Sequence, residues 1–443
     1  MSNVGTPRAA ALFFALALAG AFSMLYYHLG LFIPRAQQAR VAAGLNGGYA
    51  FGNDFYQVWL TSQEALRHRS NPYSAEMTRR VQTGLYGRTL DPHISSDPVD
   101  QRVFPYPAFT DLLFWPAALV RFSIARVVAT CLLAALTLAS IALWMRALSW
   151  QVGWRWQALI FLLLLCSYPV LEGLYAGQIG LLVGFLLAAS IFALQRDRLL
   201  LSGFLMALTT IKPQVTVLAI LYLLAWSSYD RRRRGRFYTG FVPTMLLLVG
   251  AALVVWPHWI QSWMLVITKY RGYTTPPLID LLLASLLGPG AAGLASFIMT
   301  ASLLVAAILL AWRNRAAAAG SREFWLTLAL LLALTTVALL PGQAVYDHII
   351  LFPGIIFLLL HWKDMTSSSR VLRIVSIIGA AVFFWPWIAA IGLVIARHWL
   401  SPKRFFSPAV FALPIRTAVS FPFLVLILLA LATRLSSLSP EAS

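Results

Sequence analysis

The sequence predicts an all-α, polytopic membrane protein of about twelve transmembrane helices. Three observations lead there. Of the 443 residues, 60% are hydrophobic and only 11% are charged, at a mean hydropathy of +0.77. Soluble domains carry about 25% charge, so a water-soluble fold has nowhere to hide this much apolar surface. The apolar residues also come in long uncharged runs, such as 377–396. In a bilayer the backbone must satisfy itself as helices or as a closed barrel, and barrel strands alternate in short segments, so helices remain. Finally, basic residues gather between the apolar runs, in Asp230-Arg231-Arg232-Arg233-Arg234-Gly235-Arg236 and in Trp312-Arg313-Asn314-Arg315. A net charge of +19 would suggest nucleic acid in a soluble protein. Here short basic loops fit the positive-inside rule, with attraction to membrane lipids as a by-product. Few aromatics are interleaved with the arginines, so no nucleic-acid partner is expected.

The elements follow in order along a single domain, 1–443. Residues 9–33 form an apolar run after Arg8. Ala19-Gly20-Ala21 resembles a signal-peptide cleavage site, but the run continues past it far enough to span. It is expected to be an uncleaved first span with its N-terminus inside. Residues 34–107 make the one long polar stretch, a loop of a length that usually carries function. Within it, 55–69 reads as an amphipathic helix along the membrane surface, with Phe55, Val58, Trp59, Ser62 and Leu66 on one face and Pro72 stopping it. Residues 108–120 are too short to span and read as re-entrant or interfacial. Spans are expected near 123–148, 156–172, 178–195, 199–211, 213–229, 238–256, 289–312, 324–341, 346–361, 371–396 and 418–433. Taking 196–198 and the basic loop 229–237 as cytoplasmic, parity puts 34–107, Lys212-Pro213-Gln214, 256–277 and 341–346 outside and both termini inside. The basic segment 397–416 also falls outside by this parity, as a surface helix on the outer leaflet unless the count shifts near the C-terminus. No internal repeat or inverted half is visible. Cys131 and Cys166 lie within apolar runs and read as small buried side chains.

Acids are scarce, 15 Asp plus Glu in the whole chain, which singles out those at the outer ends of spans. Asp54, in Gly52-Asn53-Asp54-Phe55-Tyr56, heads the surface helix. It is a candidate reacting group, although Asn53 or Asp54 would equally serve as a helix N-cap. Lys212 lies in a turn between two short apolar runs, where a lysine is costly without an anion. A phosphate suits it as a point charge; snorkelling to the headgroups is the alternative. Tyr346-Asp347-His348 sits where an outer turn re-enters the membrane, and Tyr106, Glu172, Tyr175, Gln178, Gln214, Lys269 and Arg271 share that outer side. Asp280 reads as a boundary residue. No third ligand is spaced to join Asp347 and His348 on a metal. Walker A, HExxH, G-x-S-x-G and Rossmann signatures are absent from the sequence.

Asp54-Phe55-Tyr56 ahead of a helix ending at Asn71-Pro72-Tyr73 resembles the first outer loop of glycosyltransferase family 87. Phe104-Pro105-Tyr106-Pro107, Gly177-Gln178 and Ile211-Lys212-Pro213-Gln214 extend the resemblance over about residues 50–240. The resemblance implies GT-C architecture and similarity to polyprenyl-phosphate-mannose-dependent α-mannosyltransferases in a bacterial plasma membrane, with the active site outside. It implies a catalytic role for Asp54 as general base. Lys212 would face the donor phosphate, and Gln178, Gln214, Tyr106 and His348 would bind the donor or line its cavity, with Asp347, Arg271 and Glu172 nearby. The polyprenyl-phosphate sugar is then a substrate, the acceptor a lipid or glycan, and no cofactor is implied. This loop departs from the family pattern in its polar, acidic second half, 91–102. The alternative reading is a secondary transporter or flippase of a lipid-linked sugar, which would place polar groups near mid-membrane and show two related halves.

Overall fold

The computed structural model describes residues 7–45 and 50–435 and is helical nearly throughout. Among the described residues the only β contact is an isolated antiparallel bridge between Pro277 and Pro341. Helix α1 (Pro7–Tyr26) runs through a π-helical turn, Tyr27–Phe32, into α2 (Ile33–Ala42). After it come α3 (Asn53–His68) and α4 (Ala75–Tyr86), then the short α5 (Phe109–Leu113) and α6 (Trp115–Ala118). The bundle proper begins with α7 (Phe122–Ala147), α8 (Trp154–Leu165), α9 (Tyr168–Ala176), α10 (Gly180–Gln195), α11 (Leu199–Leu208) and α12 (Pro213–Tyr229). The arginine run forms α13 (Arg231–Arg234), followed by α14 (Arg236–Val255), α15 (Trp259–Tyr273), α16 (Leu278–Arg313, broken into two helices at Gly288, where φ is 76°) and α17 (Arg322–Ala338). A 3-10 turn, Val345–Leu351, leads into α18 (Phe352–Leu360), α19 (Trp362–Ser368) and α20 (Arg370–Ala396). The chain closes with α21 (Pro402–Phe405), α22 (Pro408–Phe411) and α23 (Thr417–Leu435).

Six helices are long and apolar enough to cross a membrane: Ala11–Ala42, Phe122–Ala147, Arg236–Val255, Gly290–Ala316, Arg370–Ala396 and Leu413–Thr433. Two bent pairs, α8 with α9 at 59° and Val345–Leu360 with α19 at 61°, raise the number to eight if each is one span. By length and composition the count therefore stops short of the expected twelve. The remaining apolar helices Gly180–Gln195, Leu199–Ile211, Pro213–Tyr229 and Leu278–Gly288 are each of 10–17 residues, where roughly 20 are needed to cross the hydrocarbon upright. Helix α17 is buried all round, with Leu328, Leu332 and Ala333 fully inaccessible. A helix apolar on every face belongs inside protein, and α17 packs among α12, α16, α18 and α23.

The polar loop is structured. Helix α3 starts after Gly52 and ends at Arg69, which takes the left-handed conformation at φ 51°, three residues before Pro72. Its apolar face lies on α5 and α6: Trp59 Nε1 donates to the Val120 carbonyl at 3.0 Å, and Thr61 Oγ1 donates to Asp111 Oδ1 at 2.7 Å. Burial pushes the Asp111 carboxyl up to about 8, against the lowering effect of its bonds to Thr61 and Ser62. The amphipathic pattern thus serves a protein contact with the 108–120 segment. Helix α4 is capped by Ser74, whose hydroxyl accepts from the Met77 N–H at 3.1 Å. The basic segment after α20 folds into α21, α22 and a 3-10 turn, Leu413–Ile415. It packs at the loop end of the first span, with Tyr27 donating to the Phe411 carbonyl at 3.0 Å and Arg35 over the Phe406 ring at 5.3 Å. Cys166 is buried, whereas Cys131 is exposed. The latter shares an outward face of α7 with Val127, Val128 and Leu132, and hydropathy does not distinguish that face from an inward one.

Candidate active site

Asp54, Gln178, Lys212 and Asp347 converge because several chain breaks meet. Helix α9 ends at Gly177, which is left-handed at φ 71°. A Cβ there would lie 2.6 Å from the Phe55 Cβ, so only glycine lets α3 approach so closely. The Gly52 N–H donates to the Tyr175 carbonyl at 2.7 Å and ties the start of α3 to the end of α9. This places Asp54 beside Gln178. Lys212 follows a 3-10 turn, Thr209–Ile211, and precedes Pro213, which forces it out of helical geometry, at φ −136°. Asp347 lies in the 3-10 turn before α18.

These side chains form one chain of polar contacts. Arg102 Nη1 donates to Asp54 Oδ1 at 2.6 Å, and Gln178 Nε2 donates to Asp54 Oδ2. Gln178 Oε1 accepts from Lys212 Nζ at 3.4 Å. Lys212 Nζ lies 2.8 Å from Asp347 Oδ1 and 2.7 Å from Oδ2. Its ammonium also sits 4.7 Å from the centre of the Tyr346 ring. The Lys212 and Asp347 side chains are 7% and 0% exposed, whereas Asp54 is 19% exposed. The open end of the chain of contacts is therefore Asp54.

Asp54 is not the cap of α3. Gly52 occupies that position with no side-chain cap bond, so the carboxylate is directed across to Arg102 and Gln178. Tyr106 is buried close by. Burial first, and then the Asp54 charge, push its phenol well above the ordinary value, so it remains a neutral hydrogen-bond donor. Tyr270 on α15 is raised by burial and by Asp100 and Asp54 in the same way. The Phe104-Pro105-Tyr106-Pro107 segment is pinned from both sides. Tyr73 donates its hydroxyl to the Tyr106 carbonyl at 2.9 Å, and Trp263 donates to the Pro105 carbonyl at 3.0 Å.

The other named residues lie elsewhere. His348 is buried and faces away from the polar chain, lining an apolar crevice with Tyr168, Ile349, Phe352, Pro386 and Phe421. Gln214 is half-buried and takes no part in the chain of contacts. Arg271 is exposed near the end of α15. Glu172 approaches the buried His28 at 3.5 Å, forming a separate pair. Asp280 accepts from the Ser296 hydroxyl within the α16 region. Among the described residues no three His, Cys, Asp or Glu side chains gather to hold a metal.

Arg102 is the site residue that sequence reasoning missed. It closes the acidic stretch 91–102, and the signal was its charge, opposite to Asp97 and Asp100. Its backbone is left-handed at φ 57°. The Asp100 carboxylate accepts from its N–H at 2.9 Å, and Gln57 Nε2 donates to its carbonyl at 2.8 Å. Burial works against the guanidinium charge, but Asp100, Asp54 and the Tyr86 hydroxyl hold its pKa well above the ordinary arginine value.

Gly180 fits under the buried pair. A Cβ added there would collide with Asp347 Oδ1 and come within 3.3 Å of Lys212 Nζ. Gly180→Ala is expected to destabilise the protein by about 1–3 kcal/mol, the usual cost of overpacking, and to lower activity with it. A thermal melt of the purified variant checks this, and an unchanged melting temperature would show that the pair tolerates displacement.

A model of glycosyltransferase family 87 matches residues 104–341, just over half of the 443 residues. The match contains Tyr106, Gln178 and Lys212 and stops short of Asp54, Arg102 and Asp347. No curated protein and no solved structure matches the chain. With the helical membrane-type fold and the family match together, the chain belongs to glycosyltransferase family 87.

Proposed function

We propose that the protein is an inverting glycosyltransferase that takes a sugar, mannose in the first instance, from a polyprenyl-phosphate donor. It passes the sugar to a lipid or glycan acceptor on the outer face of a bacterial plasma membrane. The observation that carries this reading is the position of Asp54: a partly open carboxylate, held by Arg102 and Gln178, at the accessible end of a polar chain that runs back to Lys212 and Asp347. The apolar crevice lined by His348, Tyr168, Phe352 and Phe421 is a surface suited to hydrocarbon.

The chemistry needs little else. Asp54 accepts the proton of the acceptor hydroxyl as its oxygen bonds to the anomeric carbon. The bond from that carbon to the phosphate oxygen breaks on the opposite face, inverting the centre, and the electron pair leaves with the phosphate. Cations at the site stabilise that charge. Tyr106 and Tyr270, kept neutral, are donors available to sugar hydroxyls.

Purified protein in lipid nanodiscs, given mannosyl, glucosyl and arabinosyl polyprenyl phosphates and a lipid extract as acceptor, tests the reading. Transfer of labelled mannose is the expected result. Transfer from none of the three would overturn it and favour movement of the lipid-linked sugar across the membrane instead.

A further inference from the structure

The two cations of the site are not equivalent. Lys212 is already engaged: its ammonium donates to Asp347 Oδ1 and to the Gln178 carbonyl, with Asp347 Oδ2 at 2.7 Å, under the Tyr346 ring. A phosphate would have to displace a buried carboxylate to reach it. Arg102 is held differently. Its Nη1 donates to Asp54 and its Nε to the Tyr86 hydroxyl at 2.9 Å, while Nη2 donates to nothing among the described residues. The side chain is 14% exposed, twice the figure for Lys212. Guanidinium groups bind phosphate through paired N–H donors, and this one has a pair to offer.

Arg102 is also in the way of the base. Its Nη1 donates to Asp54 Oδ1 while the Gln178 amide donates to Oδ2, so both carboxylate oxygens already hold a donor where an acceptor hydroxyl would have to bind. The same Nη1 lies 3.8 Å from Asp100 Oδ2, so a second carboxylate stands ready when the first is given up. A non-glycine residue in left-handed backbone costs energy, and here both its N–H and its carbonyl are fixed by side chains, those of Asp100 and Gln57. The guanidinium is thereby anchored at its base and exchangeable at its tip.

We propose that Arg102 is the phosphate-binding residue for the polyprenyl-linked donor, and that the phosphate, by taking the guanidinium, releases Asp54 to act as base. The proposal rests on the donor reading given above. It makes binding ordered, donor before acceptor. In the transfer step the acceptor O–H breaks with its proton going to Asp54, the new oxygen–carbon bond forms, and the carbon–phosphate-oxygen bond breaks with its electron pair on the phosphate. The charge gained by that phosphate faces Arg102, so the contact strengthens as the bond breaks.

The test is binding of a polyprenyl phosphate, the product of transfer, to the full-length protein in nanodiscs of zwitterionic lipid. Arg102→Gln is expected to weaken binding tenfold or more, and Arg102→Lys to recover part of the loss. Asp54→Asn is expected to tighten binding severalfold, because it removes the negative charge that competes with phosphate for the guanidinium; misfolding cannot produce that gain. Unchanged affinity in Arg102→Gln, or weaker binding in Asp54→Asn, overturns the proposal and leaves the donor reading standing. No binding of polyprenyl phosphate by the unmodified protein overturns both.

Discussion

Asp54→Asn is expected to reduce transfer by a factor of about 100 to 10,000, the range a positioned general base contributes, while the protein stays folded. The two halves of this expectation have separate causes. Asparagine keeps the shape of the side chain and an oxygen that can accept from Arg102 or Gln178, so the contacts at the start of α3 survive in part. The lost charge lies in the first turn of α3, where an acid stabilises by about 0.3–1 kcal/mol. Because Gly52 caps the helix without side-chain help, no cap bond is lost. The melting temperature should therefore move by only a few degrees as transfer falls away. An Asp54→Asn variant with near-normal rates would sink the base assignment. A variant that unfolds would instead make Asp54 a scaffold residue.

Much of this site was legible in the sequence, for reasons that can be named. In a chain with so few acids, Asp54 and Asp347 stood out by type and by position at the ends of apolar runs. Lys212 stood out because a lysine between two short apolar runs needs an anion. The partner it has in the structure is Asp347, a residue 135 positions away, and nothing local to either residue announces that pairing. Arg102 was invisible for a different reason. An arginine in a polar loop is ordinary, and only the folding of 86–102 beneath α3 turns it toward Asp54. The helical class was equally plain from hydropathy, but the number of spans was not. Apolar runs such as Leu199–Ile211 and Arg322–Ala338 carry the same signal whether they face lipid or protein, and α17 faces protein on all sides.

The Lys212–Asp347 pair carries the second large effect. From the sequence alone, Lys212→Ala acts on donor binding more than on folding. The structure reverses that emphasis, because Lys212 neutralises a carboxylate that is wholly inaccessible. Removing one member of a buried pair typically costs about 3–5 kcal/mol, since it leaves the other charge uncompensated. Lys212→Met and Asp347→Leu are each expected to lower the melting temperature sharply. Replacing both at once exchanges the pair for apolar groups of similar size, which is often neutral or stabilising, so the double variant should regain most of the lost stability. Single variants that melt like the unmodified protein, or a double variant no better than either, would show that the two charges do not depend on each other. Transfer should not return with stability. Gln178 reaches from Lys212 to Asp54, and without the ammonium its amide loses the contact that orients it toward the base. A double variant that is both stable and fully active would reduce the buried pair to scaffolding and leave Asp54 and Arg102 as the whole of the reacting centre.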